Sequence, residues 1–134
     1  MKRLIGFVTL VFGFFLSASA NAHGYKNMPA ISVDSLIKAD PNVVIVDVRT
    51  PEEFISETGH LHNAKLIPLQ QLGRRVSELQ SYKDRTIVTY CLMGGRSANA
   101  AKLLSGKGFT VVNMLGGIRA WNAKGLPIVK GQAK

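Results

Sequence analysis

The chain has 134 residues, too few for two ordinary domains and enough for one with a single modest core. Its formal net charge is +9, but the basic residues are scattered and lack the clusters and interleaved aromatic residues of nucleic-acid-binding proteins. The charge therefore indicates weak attraction of small anions or of an acidic protein partner, and it argues against a nucleic-acid ligand.

Residues 1–22 are typical of a secretory signal peptide. Basic residues precede an apolar run at 4–16, and small residues then permit cleavage after Ala22, which is preferred, or after Ala20. Because a membrane span needs about 20 residues, an uncleaved anchor is the less favoured alternative. We therefore expect a periplasmic protein that has no membrane attachment once the leader has been removed.

Apolar runs and turn residues along the chain predict that strands alternate with helices. A polar lead-in at 23–29 is followed by a short edge strand at 29–31. Ser32 is predicted to cap a helix that ends at Ala39. The continuous apolar run at 43–46 is typical of a strand that is buried on both faces.

The rest of the chain continues this alternation. Thr50-Pro51, followed by two acidic residues, predicts the start of a short helix. Further strands are predicted at 64–68, 86–90 and 109–113, and further helices at 69–79, at 98–107 and from Gly116-Gly117 onwards. Short strands that alternate with helices predict an α/β fold with a parallel sheet.

The only cysteine, Cys91, follows the strand predicted at 86–90. Ligands of parallel sheets bind outside the carboxyl ends of the strands, and the N-terminus of the next helix favours a thiolate. One cysteine cannot form an internal disulfide, so the single domain at 23–134, with its core at about 30–128, depends on packing alone. An unpaired thiol in an oxidising compartment suggests a function. A redox sensor is less favoured, because no second cysteine could resolve the oxidised thiol.

The loop that begins at this cysteine is the candidate functional site. Its backbone N–H groups are predicted to surround the sulfur as an anion nest, with Gly94 and Gly95 permitting the backbone angles that this curvature demands. Arg96 is predicted to supply a cation for a bound anion, and Ser97 a hydroxyl that caps the next helix or bonds the sulfur. The candidate catalytic residue is Cys91, and the candidate substrate-binding residues are Leu92, Met93, Gly94, Gly95, Arg96 and Ser97.

Several short motifs occur in a specific order between about Ile31 and Pro127. They are Val46-Asp47-Val48-Arg49, Pro51-Glu52-Glu53-Phe54, Gly59-His60-Leu61, Ala64 through Pro68, Tyr90 through Ser97, Gly108-Phe109, Leu115-Gly116-Gly117, Trp121 and Gly125-Leu126-Pro127. Together they resemble the rhodanese family, specifically its single-domain secreted members. The resemblance implies a five-stranded parallel sheet in the order 1-5-4-2-3, flanked by helices, and sulfurtransferase activity through a persulfide on Cys91. One departure is His62-Asn63, where the family usually has Pro-Gly.

The expected reaction moves a sulfane sulfur from thiosulfate or a persulfide, through Cys91, to a thiol or to cyanide. Cysteine-dependent phosphatases use Cys-x5-Arg, whereas Arg96 gives Cys-x4-Arg, a tighter ring that suits one sulfur better than a phosphoryl group. Phosphatase chemistry is therefore less favoured, and the main alternative is a persulfide carrier that turns over little without a partner protein. Because Leu92 and Met93 stand where many rhodanese loops carry a charged residue, we expect weak thiosulfate affinity.

The remaining polar candidates are predicted to have structural roles. Asp47 is expected to bond loop backbone or Arg49, and Arg49 to help organise the mouth of the site, so both are supporting residues. His60 is read as structural, in line with the Gly-His element of the family. His60 and His62 have no third ligand nearby in the sequence, so neither a metal nor a cofactor is expected.

Overall fold

Strands and helices alternate along the chain as the pattern of apolar runs predicts. The computed structural model describes residues 24–131. The strands are β1 (Lys26–Pro29), β2 (Val44–Asp47), β3 (Lys65–Leu66), β4 (Thr86–Tyr90) and β5 (Thr110–Leu115). The helices are α1 (Ala30–Ala39), α2 (Pro51–Phe54), α3 (Leu69–Arg75), α4 (Gly95–Gly106) and α5 (Gly117–Ala123), with a 3-10 helix, Val76–Tyr82, after α3.

Within these residues the five strands form one parallel sheet in the order β1-β5-β4-β2-β3. The fold class and this strand order confirm what the family resemblance implies. β4 lies in the middle of the sheet, between β5 and β2. Its carboxyl end, and the cysteine that follows, therefore lie at the centre of one edge of the sheet.

Two apolar layers cover the two faces of the sheet. Neighbouring residues of β4 enter opposite layers, because successive side chains of a strand point to opposite faces. Ile87 packs in the layer with Leu72 of α3 and Leu104 of α4, whereas Val88 packs in the layer of α1 and α5 with Trp121. All four residues of β2 are buried, as the continuous apolar run predicts.

The first strand is the clearest difference from the sequence prediction. The edge strand predicted at 29–31 lies earlier, at Lys26–Pro29, within the segment predicted to be an unstructured lead-in. Most of its residues are exposed, so β1 is defined by backbone pairing with β5 and has no apolar pattern. The cap predicted at Ser32 is also wrong: Pro29 is the N-cap of α1 and has no side-chain capping bond.

Two local features in the middle of the chain form a helix start and a turn. Thr50 forms the predicted cap of α2, accepting from the backbone N–H of Glu53 at 3.2 Å, while the Glu53 carboxylate accepts from the backbone N–H of Thr50 at 3.3 Å. Asn63 has a φ of 61°, a left-handed conformation that asparagine tolerates better than most residues. Asn63 therefore supplies here the backbone conformation for which glycine is the usual choice.

The predicted leader at residues 1–22, its cleavage after Ala20 or Ala22, and the periplasmic location that follows from it fall on residues outside the described part of the chain. Among residues 24–131, no helix has both the length and the apolar character needed to cross a membrane.

Candidate functional site

The Cys91 thiol lies under a loop that connects the central strand β4 to helix α4. The residue is only 2% exposed. The backbone N–H of Gly94 donates to Sγ at 3.0 Å, and the Ser97 hydroxyl lies 3.4 Å from Sγ. The sulfur is thus held by polar groups on one side and by the apolar layer of α4 on the other.

These contacts lower the pKa of the Cys91 thiol below that of an ordinary cysteine. Burial of the sulfur is the largest influence and opposes ionisation. Hydrogen bonds from the Ser97 hydroxyl and from the backbone N–H groups of Ser97, Gly94 and Met93 favour the thiolate and outweigh that burial. The loop therefore stabilises a negative charge on sulfur, which is the property that a nucleophilic cysteine needs.

The glycines of the loop have different roles. Gly94 has a φ of 110°, in the region that favours glycine, and a Cβ there would lie 3.3 Å from the backbone nitrogen of Gly116. The prediction of a special backbone angle is therefore confirmed for Gly94. It is wrong for Gly95, which begins α4 without a positive φ and where an added Cβ would meet no atom within 4 Å.

Helix α5 holds the loop from the side. The backbone N–H of Ile118 donates to the Cys91 carbonyl at 2.9 Å, and that of Arg119 donates to the Leu92 carbonyl at 3.1 Å. Gly117 has a φ of 59°, and a Cβ on it would overlap the Leu92 carbonyl group and lie 2.5 Å from the Cys91 carbonyl oxygen. The first turn of α5 thus packs directly on the backbone of the cysteine loop.

The Arg96 side chain is bound to a carboxylate. Its two terminal nitrogens donate to the two Glu53 oxygens at 2.6 and 2.9 Å, a bidentate pair about one third exposed. Hydrogen bonding from Arg96 lowers the pKa of Glu53 to about 2, so the carboxyl group is ionised at neutral pH. The cation that the sequence predicts for an anionic donor is therefore already neutralised by a residue of α2.

The buried pair of Asp47 and Arg49 supports the neighbouring loop. Arg49 donates through Nε and one terminal nitrogen to Asp47, at 3.0 and 2.7 Å, and both side chains are fully buried. The Arg49 guanidinium also donates to the Gly59 carbonyl at 2.7 Å and to the Thr58 hydroxyl at 2.9 Å. Asp47 bonds both the backbone and the side chain of Arg49, as expected, and Arg49 fastens the 58–59 turn to the end of β2.

His60 is buried and has a structural environment. Its Nδ1 lies 2.9 Å from the Phe54 carbonyl oxygen, and its ring stacks on the Phe54 ring at 3.7 Å.

Within residues 24–131, no three His, Cys, Asp or Glu side chains are grouped as a metal site requires. A cavity of about 760 Å³ is lined by residues such as His62, Lys65 and Arg85, and none of its lining residues belongs to the cysteine loop.

Large exposed apolar residues occur after the carboxyl ends of four adjacent strands. Each of β1, β5, β4 and β2 ends in or precedes one of them, although α2 lies between β2 and its residue. In that order these are Ile31, Leu115, Met93 and Ile55, which are 51%, 45%, 61% and 48% exposed and account for every exposed large apolar side chain in the described chain. We call these four residues the apolar rim. Leu92, beside the cysteine, is half-buried against the core.

Sequence reasoning missed three residues of the site. Glu53 was assigned only to a helix start, although it neutralises Arg96. Gly117 was assigned only to the opening of a helix, although it contacts the cysteine loop. Asn113 was assigned only to a strand, although it bonds Ser97. A signal for Asn113 was available, because it is the one polar residue in the run Val111-Val112-Asn113-Met114.

The sheet and the cysteine loop together define an α/β protein with a thiol site that stabilises negative charge. Residues 31–124 match the family model of the Rhodanese-like domain, and the chain belongs to the rhodanese family. It is 42% identical over 89 residues to a protein of Allochromatium vinosum named sulfurtransferase, an alignment that covers 66% of this chain and 79% of that one.

Solved structures share the fold. A rhodanese-related protein from Thermoplasma volcanium superposes with a TM-score of 0.70 at 33% identity, covering 78% of this chain and 98% of that one. A protein from Rhodopseudomonas palustris described as a possible tyrosine phosphatase superposes with a TM-score of 0.71 at 28% identity, covering 78% of this chain and 85% of that one. At the level of the family, the Rhodanese-like domain and the sulfurtransferase of Allochromatium vinosum support sulfur transfer.

Proposed function

We infer that the protein is a sulfurtransferase that carries sulfane sulfur as a persulfide on Cys91. The observation that carries this inference is the cysteine loop itself: a thiol whose pKa is lowered by hydrogen bonds from backbone and hydroxyl donors. Such a site favours an anionic sulfur in both states that the reaction requires, the thiolate and the persulfide. The sulfurtransferase relative supports the same chemistry.

The reaction balances without any oxidant or reductant. The Cys91 thiolate attacks the outer sulfur of a donor, the donor's S–S bond breaks, and its electron pair leaves with sulfite or with a thiolate. An acceptor, either cyanide or a thiolate, then attacks the outer sulfur of the persulfide. The new S–S bond on Cys91 breaks, Cys91 leaves as the thiolate, and the product is thiocyanate or a new persulfide.

The rest of the loop binds and orients the sulfur in this proposal. The N–H groups of Met93, Gly94 and Ser97 hold the anionic sulfur, and the Ser97 hydroxyl adds a fourth donor. The exposed Met93 and the half-buried Leu92 make the loop positions beside the sulfur apolar, and Gly95 is the first residue of α4. Arg96 is a binding residue whose charge is moderated by Glu53. Asp47 and Arg49 support the site through the 58–59 turn.

The moderated charge of Arg96 favours persulfide donors over thiosulfate. Thiosulfate is a small dianion, and its binding depends on an available cation. In this structure the guanidinium makes both of its bidentate bonds to Glu53, and the neighbouring loop positions are apolar. We therefore propose that the natural donor or acceptor is a less charged thiol or persulfide.

The experiment that tests the proposal uses the intact mass of the purified protein. The protein is incubated with thiosulfate or a persulfide donor, its mass is measured, cyanide is added, and thiocyanate is assayed. We expect an adduct of one sulfur atom that disappears with cyanide and that is absent from Cys91→Ser. The proposal is wrong if no sulfane donor loads the protein. Hydrolysis of phosphate esters in the same preparations would instead support the phosphatase alternative.

A persulfide carrier that serves a partner protein is the second candidate function. The observation that favours it is the apolar rim, whose exposed apolar side chains follow the same set of strand ends as the cysteine loop and are suited to contact another protein. The net positive charge favours a partner with an acidic surface. Loading without thiocyanate release would support the carrier. Either function is proposed to operate in the periplasm, after removal of the leader.

Glu53→Gln is expected to improve the use of thiosulfate. Glutamine preserves the capping box with Thr50 but removes the charge that neutralises Arg96, so the guanidinium becomes available to the donor. We expect the thiosulfate KM to fall roughly fivefold, the effect of about 1 kcal/mol at a partly exposed ion pair. Steady-state thiocyanate assays measure this change. Glu52→Gln, an exposed neighbour on the same turn, is the matched control and should leave KM unchanged. An unchanged or higher KM in Glu53→Gln would show that Arg96 does not bind the donor.

A further inference from the structure

A chain of hydrogen bonds leads from the cysteine to the edge of the sheet. The Cys91 sulfur lies 3.4 Å from the Ser97 hydroxyl oxygen, which donates to Asn113 Oδ1 at 2.6 Å. Asn113 Nδ2 then donates to Asn27 Oδ1 at 3.0 Å. Ser97 and Asn113 are buried, whereas Asn27, on β1, is exposed. These hydrogen bonds therefore connect the thiol to solvent through two side-chain amides, one on β5 and one on β1.

The Ser97 hydroxyl has one proton and cannot serve two acceptors. While Cys91 is a thiol, the S–H can donate to Ser97 Oγ, and the hydroxyl can donate to Asn113. When the sulfur carries a negative charge, it can only accept, so its bond with Ser97 requires the hydroxyl to turn towards it and away from Asn113 Oδ1 and from the Gly94 carbonyl, which lies 3.2 Å away. Asn113 Oδ1 then faces a hydroxyl oxygen without a proton between them. Rotation of the Asn113 amide by half a turn presents Nδ2 to Ser97 instead and restores the bond.

Asn27 is placed to permit this rotation. After the Asn113 amide turns, its Oδ1 faces Asn27 and needs a donor. Asn27 can supply its own Nδ2 by the same half turn, and its exposed side chain can exchange bonds with water. An amide is suited to this role because it has a donor and an acceptor of nearly the same shape. A carboxylate can only accept and an ammonium group can only donate, so either group at position 27 or 113 would fix the donor-to-acceptor direction of these hydrogen bonds.

We propose that Asn113 is a positioning residue that reverses the direction of this hydrogen-bond chain when the Cys91 sulfur changes between its neutral and anionic forms, and that Asn27 sets the orientation of the Asn113 amide. The proposal deepens the proposed function, because it rests on Cys91 being the reacting sulfur. Its test reads the thiol itself, so it can fail or succeed independently of sulfur transfer.

Several charged groups lie on the elements that neighbour the cysteine loop or Asn27 and do not belong to the hydrogen-bond chain. They are Asp47 at the end of β2 with its partner Arg49, Glu53 of α2, Arg96 of α4, Arg119 of α5 and Lys26 of β1. They remain in place in every variant below. A charge introduced at Asn27 also acts on the thiol directly through space, and the design has to separate this effect from an effect through Asn113.

The test measures the pH dependence of Cys91 alkylation by iodoacetamide, which reports the thiolate. In Asn27→Asp the carboxylate only accepts, so it holds Asn113 Nδ2 towards itself and keeps Asn113 Oδ1 on the Ser97 hydroxyl. We expect the pH at which alkylation reaches half of its maximal rate, the alkylation midpoint, to rise by about half a unit. At a pH below the midpoint, alkylation then slows roughly threefold. Asn42→Asp adds the same charge at an exposed site just before β2, at the amino ends of the strands, and should leave the midpoint unchanged.

A double-mutant cycle then decides whether the effect passes through Asn113. Asn113→Leu removes both polar groups of the amide with little change of volume. We expect the shift caused by Asn27→Asp to be clearly smaller when Asn113→Leu is already present, because only the direct effect of the charge then remains. The proposal is overturned if Asn27→Asp shifts the midpoint no more than Asn42→Asp does, or if its shift is the same with and without Asn113. Because Asn27 is exposed, its variants do not depend on how the core tolerates leucine at 113, and an Asn27→Asp shift no larger than that of Asn42→Asp overturns the proposal without the double variant.

Discussion

Asp47→Ala is expected to destabilise the protein by about 3–5 kcal/mol, because it leaves the buried guanidinium of Arg49 without its counter-charge. Both side chains of the pair have no exposed area, so water cannot replace the carboxylate. Urea denaturation followed by circular dichroism measures the loss. The same variant should loosen the 58–59 turn that Arg49 fastens, and limited proteolysis should then cut the chain there.

The control for this prediction removes both charges. A double variant, Asp47→Leu with Arg49→Met, has no unpaired ion, and we expect it to recover at least half of the lost stability. Apolar replacement leaves the Gly59 carbonyl without its donor, so full recovery is not expected. If Asp47→Ala costs less than about 1 kcal/mol, the pair does not stabilise the fold in the way its burial indicates.

Gly117→Ala is expected to damage both stability and the candidate site. The added methyl group would overlap the Leu92 carbonyl, and alanine at a φ of 59° is strained in addition. The backbone of the cysteine loop has to move, because neither clashing partner is a flexible side chain. We expect the free energy of unfolding to fall by at least about 3 kcal/mol. In the protein that remains folded, the rate of Cys91 alkylation at neutral pH should fall at least about tenfold.

Gly73→Ala is the matched control for that glycine. Gly73 lies inside α3, has no positive φ, and an added Cβ would meet no atom within 4 Å. Alanine there should stabilise the protein by about 0.5–1 kcal/mol and leave the alkylation rate unchanged. Equal effects of the two substitutions would show that the contact between α5 and the cysteine loop has no importance for the thiol.

The sequence predicted best those elements that local chemistry defines. The strand at 86–90 and the cap at Thr50 follow from an apolar run and a capping box, both of which lie within a few residues. β1 was misplaced because its exposed residues are set by pairing with β5, far away along the chain. The helix predicted at 69–79 changes to a 3-10 helix at Val76, although Leu72 and Leu79 are buried as the apolar spacing predicts.

In the candidate site too, contacts between residues close in sequence could be predicted and contacts between distant residues could not. Cys91, Gly94 and Ser97 are neighbours in sequence, so their approach to one sulfur could be inferred from the loop. The partner of Arg96 lies 43 residues away on another element, and a single sequence offers no measure of that distance in space. The role of Asn113 was hidden for the same reason, since a polar residue in a strand shows that a bond is needed but not where it goes.

The lowered pKa of Cys91 also ties the charge on sulfur to the folding of the chain. The donors that hold the sulfur come from the α4 end of the loop, while α5 fixes the backbone of the loop, so they are assembled only in the folded state. By thermodynamic linkage, a group whose pKa is lower when folded stabilises the fold above its unfolded pKa, and this stabilisation is lost as the pH falls through the folded pKa. An unfolded chain consequently carries an ordinary, less acidic thiol, and folding is the step that lowers the pKa of Cys91.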